Sequence, residues 1–331
     1  MDKFDFNDIL IKPAASSIIE SRQNINPFHN GFLPLITAPM DTVIDSKNKY
    51  LFNKLKVLTC LPRGEQNDLG FESYSLNEIE VKLNDGTLHR NGMYLIDIAN
   101  GHMSKLLKVT EDIKTKYPDL ILMVGNVANP ETYVSLSNAG ADYIRIGIGN
   151  GGGCSTTVHT GIGYPMGSLV RECYLASCML ENPALIVTDG GMQNYSDIIK
   201  ALALGADYVM VGSIFNKAIE SCGDNYLFKN FKVSQSVAEL AYKYKLPVYK
   251  KFRGMSTKEV QKKWGKKILT TSEGVVRQRK VEYTLSKWLT NFEDYLRSSM
   301  SYTNSNTLDE FIGMVETIKI TDNAYNRFKK W

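Results

Sequence analysis

The chain has 331 residues, of which 43% are hydrophobic and 22% are charged, and its 39 basic and 35 acidic side chains leave a net charge of +4. So small an excess excludes the strongly basic surface of a typical nucleic-acid-binding protein, and no apolar run reaches the roughly 18 residues of a membrane helix. Residues 1–6 lack the apolar core of a secretory signal, and five cysteines form no paired framework, so we expect a cytoplasmic protein without disulfides.

Short apolar runs rich in β-branched residues recur along the chain, each closed by Gly, Asp or Asn. We interpret the following runs as strands: Leu33–Thr37, Val57–Cys60, Tyr94–Ile98, Ile121–Val124, Tyr143–Ile146, Leu185–Thr188, Tyr208–Val211 and Pro247–Phe252. The helical period between them is clearest over Ser104–Lys116, Glu131–Ala139, Ser168–Leu180 and Tyr195–Leu204. This alternation predicts an α/β protein, a (β/α)8 TIM barrel. We expect a single domain over residues 1–331, in which 257–331 form an active-site flap and a C-terminal tail.

A glycine-rich loop follows the strand predicted at Tyr143–Ile146 and delivers a cysteine, Cys154. The loop contains G-x-G-x-x-G from Gly147 to Gly152, but it lacks the helix and the later acidic strand end of a dinucleotide-binding fold. Cys154 has hydroxyl neighbours instead of an apolar run. This context favours a nucleophile over a structural thiol, which remains the alternative.

Two more glycine turns, Asp189–Gly191 and Gly212–Ser213, follow late strands. Such turns present backbone N–H groups to a phosphate at the mouth of a barrel, although they also occur as simple tight turns. Beyond the last predicted strand, Glu273 lies in a polar stretch and by itself is typical of a solvated loop carboxylate. A lysine-rich cluster that begins at Lys250 and extends to Lys267 is typical of a solvated helix face, with an anion-facing flap as the alternative.

Taken together, these motifs resemble the IMP dehydrogenase and GMP reductase family of phosphate-binding barrels. The resemblance runs from Phe4–Pro13 through Ala38–Val43 to Leu296–Ser298, and its most specific part is the cysteine loop continuing into Thr160–Pro165. Within the family the chain is more similar to the reductases. It has no room for an inserted pair of CBS modules, and the segment between Ser256 and Glu273 is too short for the Arg-Tyr flap of the dehydrogenases.

The resemblance implies NADPH-dependent reductive deamination of GMP, or of a close guanine nucleotide, to IMP and ammonia. Cys154 would form a covalent thioimidate with C2 of the purine, and Thr156 and Glu273 would handle the proton that the departing ammonia needs. The nucleotide monophosphate would be held by Asp189, Gly190, Gly191, Gly212, Ser213, Gly254, Met255, Ser256, Ser272 and Gly274.

The family pattern also implies positions for a cofactor, a cation and a neighbouring subunit. The matching NADPH positions are Ser21 and Arg22 from a neighbouring subunit, Arg63, Asp97, Ile98, Ala99, Ile148, Gly149, Ser298, Ser299, Met300 and Ser301. A monovalent cation, K⁺, would bind at Gly149, Gly151 and Cys154. We expect a homotetramer that binds neither nucleic acid nor membranes.

The chain departs from the family pattern near the site. Asn150 replaces a proline, Gly152 replaces a serine, Thr157 replaces an arginine, and Thr270 stands where reductases carry an arginine. Two other functions therefore stay open: an IMP dehydrogenase without CBS domains, and a nucleotide-binding barrel with altered catalysis.

Overall fold

The computed structural model describes residues 2–265 and 274–328 of the chain. Within them, eight parallel strands form the central sheet, which closes where Ile36 forms a bridge with Leu58. The strands are, in chain order, Leu35–Thr37, Thr59–Leu61, Gly70–Tyr74, Met93–Asp97, Ile121–Val127, Tyr143–Ile146, Leu185–Asp189 and Tyr208–Val211. The predicted (β/α)8 barrel is therefore confirmed.

One barrel strand differs from the prediction. The strand expected at Pro247–Phe252 exists as Val248–Arg253, but it belongs to a separate antiparallel sheet. Its residues alternate between buried and half-buried, as in a sheet with one covered face. The missing barrel strand is Gly70–Tyr74, where Ser73 is buried inside the barrel and donates a hydrogen bond to the Leu61 carbonyl at 2.6 Å. This polar pairing interrupts the apolar run that marks the other strands.

Helices cover the outside of the barrel. The four predicted helices are found at Ser104–Lys116, Pro130–Asn138, Met166–Ser177 and Tyr195–Leu204. Further helical segments are Phe6–Asp8, Arg22–Asn24, Lys49–Lys54, Leu76–Asn84, Thr156–Thr160, Ser213–Asn216, Gln235–Lys243, Lys258–Lys263, Leu285–Tyr302, Leu308–Phe311 and Asp322–Phe328. Helix Leu285–Tyr302 packs on Tyr195–Leu204 and buries Trp288 and Phe292, whose rings stack at 5.6 Å. The segment interpreted as flap and tail thus includes a helix of the outer layer.

The repeated phrase Gly-Ala-Asp-Tyr joins a helix to the next strand in the same way at both of its occurrences. Gly140 and Gly205 take φ values of +90° and +120°, which favour glycine and end the preceding helices. The aspartate that follows each of them accepts a backbone N–H from the neighbouring strand at 2.7 Å: Asp142 from Leu122, and Asp207 from Ile186. These aspartates hold successive strands in register.

Two smaller sheets complete the part of the chain that the structure describes. Ile9–Ile11 pairs with Thr317–Lys319 in one of them. The other is antiparallel, with the strand order Phe231–Val233, Asn225–Leu227, Val248–Arg253 and Val276–Lys280. The main core lies between the barrel and its helices, and a separate apolar cluster that includes Leu95, Met123 and Met210 fills the barrel itself. The barrel is therefore a packed scaffold, and chemistry is confined to its ends.

The lysine-rich cluster divides into a buried and a surface part. Lys250 is fully buried, donates to the Ser221 carbonyl at 2.5 Å, and has a pKa that burial lowers to about 8. Arg253 and Lys263 both bind the carboxylate of Asp41, at 2.6 and 3.1 Å. Burial alone would raise the pKa of Asp41, but these two cations bring it below its usual value. The interpretation as a solvated face is therefore wrong for Lys250, and helix Lys258–Lys263 is tied to the barrel.

Candidate active site at the carboxyl ends of the barrel strands

The glycine-rich loop leaves the barrel directly after strand Tyr143–Ile146. Gly149 has a φ of +85°, and a Cβ there would lie 1.8 Å from Oγ1 of Thr157, so only glycine fits. Thr157 donates to the Ile162 carbonyl at 2.7 Å, and Asn150 donates from Nδ2 to the Tyr164 carbonyl at 3.0 Å. These two departures from the family pattern thus hold the loop against the segment that follows it.

Cys154 and Thr156, two of the predicted catalytic residues, are in contact. The sulfur of Cys154 lies 3.0 Å from Oγ1 of Thr156, and Cys154 is half-buried. Two other cysteines are poor nucleophiles, because burial raises the pKa of the Cys60 thiol to about 12 and raises the pKa of Cys222 well above its usual value. Cys154 therefore combines partial exposure with a hydroxyl that can exchange a proton with its sulfur.

The two residues that precede strand Val276–Lys280 are paired with the cysteine loop. Gly274 forms a bridge with Cys154, and Val275 donates its N–H to the Gly153 carbonyl at 3.0 Å. The predicted residues Ser272 and Glu273, together with the departure at Thr270, lie outside the described residues.

The loops predicted to hold the substrate meet around the cysteine loop. A Cβ on Gly190 would lie 2.7 Å from the Gly151 nitrogen, and one on Gly254 would lie 2.2 Å from the Gly153 carbonyl. Similarly, a Cβ on Gly152 would lie 3.9 Å from Cβ of Ser213. The remaining predicted positions, Asp189, Gly191, Gly212, Met255, Ser256 and Gly274, belong to these same loops. The structure therefore brings the described positions predicted to bind substrate together around the cysteine loop.

A buried arginine that the sequence analysis missed connects two of the predicted site residues. Arg145 is only 9% exposed and binds Asp97 at 2.8 Å and Asp189 at 3.0 Å. Burial opposes its charge, but the two carboxylates outweigh that effect and raise its pKa above the usual value. Asn126 also donates to Asp189, at 2.9 Å. The sequence does carry a signal for Arg145, because a charged residue in the middle of an apolar barrel strand indicates a buried ion pair.

Comparison with known proteins identifies the family. The family model described as the IMP dehydrogenase / GMP reductase domain matches residues 89–328. The chain belongs to this family. It is 30% identical to a GMP reductase from Buchnera aphidicola subsp. Schizaphis graminum, covering 99% of this chain and 98% of the relative, and 27% identical to GMP reductase 2 from Bos taurus, covering 96% and 94%. It is also 30% identical to an inosine-5'-monophosphate dehydrogenase from Chlorobaculum parvum, covering 76% of this chain but 49% of that protein.

These relatives are named as oxidoreductases of purine nucleotides, so membership of the IMP dehydrogenase and GMP reductase family makes this chain an oxidoreductase by homology.

Among the described residues, no helix combines the length and apolar character needed to cross a bilayer. No group of three or more His, Cys, Asp or Glu side chains within residues 2–265 and 274–328 is arranged to hold a metal ion.

The cofactor positions expected from the family fall into two separate sets. The first set lies at the mouth of the barrel and comprises Arg63, Asp97, Ile98, Ala99, Ile148 and Gly149. In it, Nε of Arg63 lies 3.5 Å from Asp97, and the guanidinium stacks over Trp264 at 4.5 Å.

The second set comprises Ser21, Arg22, Ser298, Ser299, Met300 and Ser301 and lies at the opposite end. Helix Leu285–Tyr302 begins at the mouth, where Trp288 packs on Phe215. Near its end, Arg297 donates to the Gln23 carbonyl at 2.9 Å. The adjoining segments reach the amino ends of the barrel strands, where Asn26 forms a bridge with Thr307 and the His29 ring lies 5.6 Å from that of Tyr208, the first residue of the last barrel strand. One chain therefore does not bring both sets to one mouth.

Proposed function

We propose that this protein is an NADPH-dependent GMP reductase, which converts GMP to IMP and ammonia. The observation that carries the proposal is the 3.0 Å contact between the Cys154 sulfur and the Thr156 hydroxyl, inside a loop that is paired with Gly274. A thiol beside a proton donor at the mouth of a phosphate-binding barrel suits attack on an electrophilic ring carbon.

The reaction begins when the Cys154 thiolate forms a bond to C2 of guanine, which is amidine-like and accepts a nucleophile. The exocyclic amine then leaves as ammonia, and its C–N bond breaks readily only if the nitrogen is protonated. Thr156 delivers that proton, and Glu273 exchanges protons with it; the pairing of Gly274, the next residue, with Cys154 supports this role. The product of this step is a thioimidate on Cys154.

The second half-reaction converts the thioimidate to IMP. When bound, NADPH supplies the hydride that C2 receives. The C2–S bond then breaks, and Cys154 leaves as a thiolate, so that one NADPH and one proton are consumed for each ammonia released. Arg145 and Asn126 act during substrate binding. They orient the Asp189 carboxylate, which accepts hydrogen bonds from the ribose hydroxyls.

The remaining substrate positions divide between phosphate and base. Gly190, Gly191, Gly212 and Ser213 offer backbone N–H groups and one hydroxyl to the phosphate. The base is held by Gly254, Met255, Ser256, Ser272 and Gly274. We assign a K⁺ ion to the carbonyls of Gly149, Gly151 and Cys154; the Gly151 carbonyl already accepts the Cys154 N–H at 2.9 Å and keeps a second lone pair for a cation.

The mouth fits an anionic dinucleotide. Nε of Arg63 is buried and has no hydrogen-bond partner among the described residues, so one N–H donor of a guanidinium that is ion-paired with Asp97 is available to a ligand beside Asp97–Ala99. Because Ser21, Arg22 and Ser298–Ser301 lie at the other end of the barrel, they reach a cofactor only at the mouth of another copy. We therefore assign them to a neighbouring subunit of a homotetramer.

The test is a nucleotide panel. With GMP and NADPH, the purified protein is expected to oxidise NADPH and to form IMP and ammonia in equal amounts, and Cys154→Ala is expected to abolish all three changes. Reduction of NAD⁺ with IMP as the substrate, without any reaction of GMP, would identify a dehydrogenase instead. No turnover of any guanine nucleotide would refute the proposal.

A further inference from the structure

One cation at the candidate phosphate site belongs to none of the predicted positions. Arg279 lies in the strand Val276–Lys280 of the small sheet, and its guanidinium reaches the cysteine loop. A Cβ on Gly152 would lie 3.2 Å from Nη2 of Arg279 and 4.0 Å from the hydroxyl oxygen of Ser213. The guanidinium also lies over the ring of Phe252, 4.3 Å from its centroid. Arg279 thus stands where the cysteine loop meets the turn at Gly212–Ser213.

Arg279 forms no ion pair in the part of the chain that the structure describes, although the more distant Glu282 attracts its charge. Within residues 2–265 and 274–328, no carboxylate forms an ion pair with it, whereas Arg253, Arg145 and Arg63 all lie near aspartates. Arg279 is half-buried, and burial together with the neighbouring Arg277 lowers its pKa below the usual value. An anion bound beside the guanidinium would offset this desolvation.

The other groups at this place leave much of a phosphate charge uncompensated. Gly152 has no side chain to donate a hydrogen bond. Helix Ser213–Asn216 has only 4 residues, too few for an appreciable helix dipole. Gly190 and Gly191 offer neutral backbone groups. A guanidinium, by contrast, binds a phosphate through two parallel N–H donors and brings a full positive charge.

We propose that Arg279 binds the 5′-phosphate of the nucleotide, above the Phe252 ring and between Gly152 and Ser213. The inference rests on the proposed function for the identity of the nucleotide, but its ligand chemistry, a phosphate monoester, does not depend on the reaction. Arg279 takes over the donor role that a glycine at position 152 cannot fill, and it makes the site selective for phosphorylated nucleosides.

The experiment compares Arg279→Gln with Lys280→Gln, which removes the same charge from the next residue on the opposite face of the strand. The probes are GMP in a calorimetric titration and inorganic phosphate in a thermal-melting series. Arg279→Gln is expected to weaken GMP binding about 10- to 100-fold, the loss typical of a charged hydrogen bond, and to remove most of the stabilisation by phosphate. Lys280→Gln is expected to match the wild type in both.

Arg279→Lys is a second variant that keeps the charge and loses the paired donors, and we expect its GMP affinity to lie between those of the wild type and Arg279→Gln. Equal GMP affinity and equal phosphate stabilisation in the wild type and both Arg279 variants would overturn the inference. A protein that is stabilised by phosphate through Arg279 yet turns over no guanine nucleotide would refute the proposed function and leave the assignment of Arg279 standing.

Discussion

Arg145 offers a quantitative test of how the mouth of the barrel is held together. Replacing it with methionine keeps the length and the apolar stem and leaves Asp97 and Asp189 without their shared partner, which binds them at 2.8 and 3.0 Å. Breaking a buried ion pair from one side costs about 3–5 kcal/mol. The side chains of Asp97 and Asp189 are 17% and 20% exposed to solvent, and Asn126 still donates a hydrogen bond to Asp189 in the variant. We therefore expect a loss near the lower end, about 3 kcal/mol.

The assay is urea unfolding followed by tryptophan fluorescence, for Arg145→Met in the wild-type background and in a background carrying Asp97→Asn and Asp189→Asn. In the second background Arg145→Met leaves no unpaired carboxylate at positions 97 and 189, so its cost should fall to about 1 kcal/mol or less. Equal costs in the two backgrounds would refute the electrostatic explanation. No cost in either background would show that Arg145 does not stabilise the barrel at all.

Two further predictions concern the turns that join helices to strands. Burial raises the pKa of Asp207 from 3.8 to about 6, so the stability that its protonated form contributes is present below about pH 4 and is lost as the pH rises through 6. Asp207→Asn keeps an oxygen for the Ile186 N–H, and its stability relative to the wild type should increase by about 3 kcal/mol between pH 4 and pH 8 in urea unfolding; identical pH profiles would contradict this. Gly205→Ala would place a Cβ 2.3 Å from the Tyr174 ring at a φ of +120°, and we expect it to cost at least about 2 kcal/mol. Gly31→Ala, at +82° with nothing within 4 Å, should cost about 1 kcal/mol, and equal losses for both would exclude the clash.

The sequence predicts the barrel because its strands are buried apolar runs separated by helices, and patterning detects both. It fails at Gly70–Tyr74, where Ser73 pairs with the Leu61 carbonyl inside the barrel and Glu72 binds the phenol of Tyr74 at 2.6 Å. Local polar pairings of this kind are not visible in a hydropathy pattern. The sequence also predicts Pro247–Phe252 as a barrel strand, because a strand pattern does not reveal which sheet the strand joins, and the structure places this strand, Val248–Arg253, in the antiparallel sheet.

Some residues of the candidate site could be predicted from the sequence, and others could not. The cysteine loop is contiguous in the sequence, so Cys154 and Thr156 could be selected together, and the structure places them in contact. Arg279 could not be found because its neighbour Gly152 is far away in the chain, and only the folded sheet brings the two together. The assignment of Ser21 and Arg22 to a neighbouring subunit depends on an assembly, which a single sequence does not specify.

The most direct test of the covalent mechanism is the mass of the protein during turnover. GMP is mixed with the enzyme without NADPH, the mixture is quenched in acid, and the intact mass and the peptide that carries Cys154 are measured. The account predicts an adduct equal to GMP minus ammonia on Cys154, absent in Cys154→Ala and discharged as IMP when NADPH is added before the quench. Conversion of GMP to IMP by Cys154→Ala at the wild-type rate would contradict the central role of this cysteine.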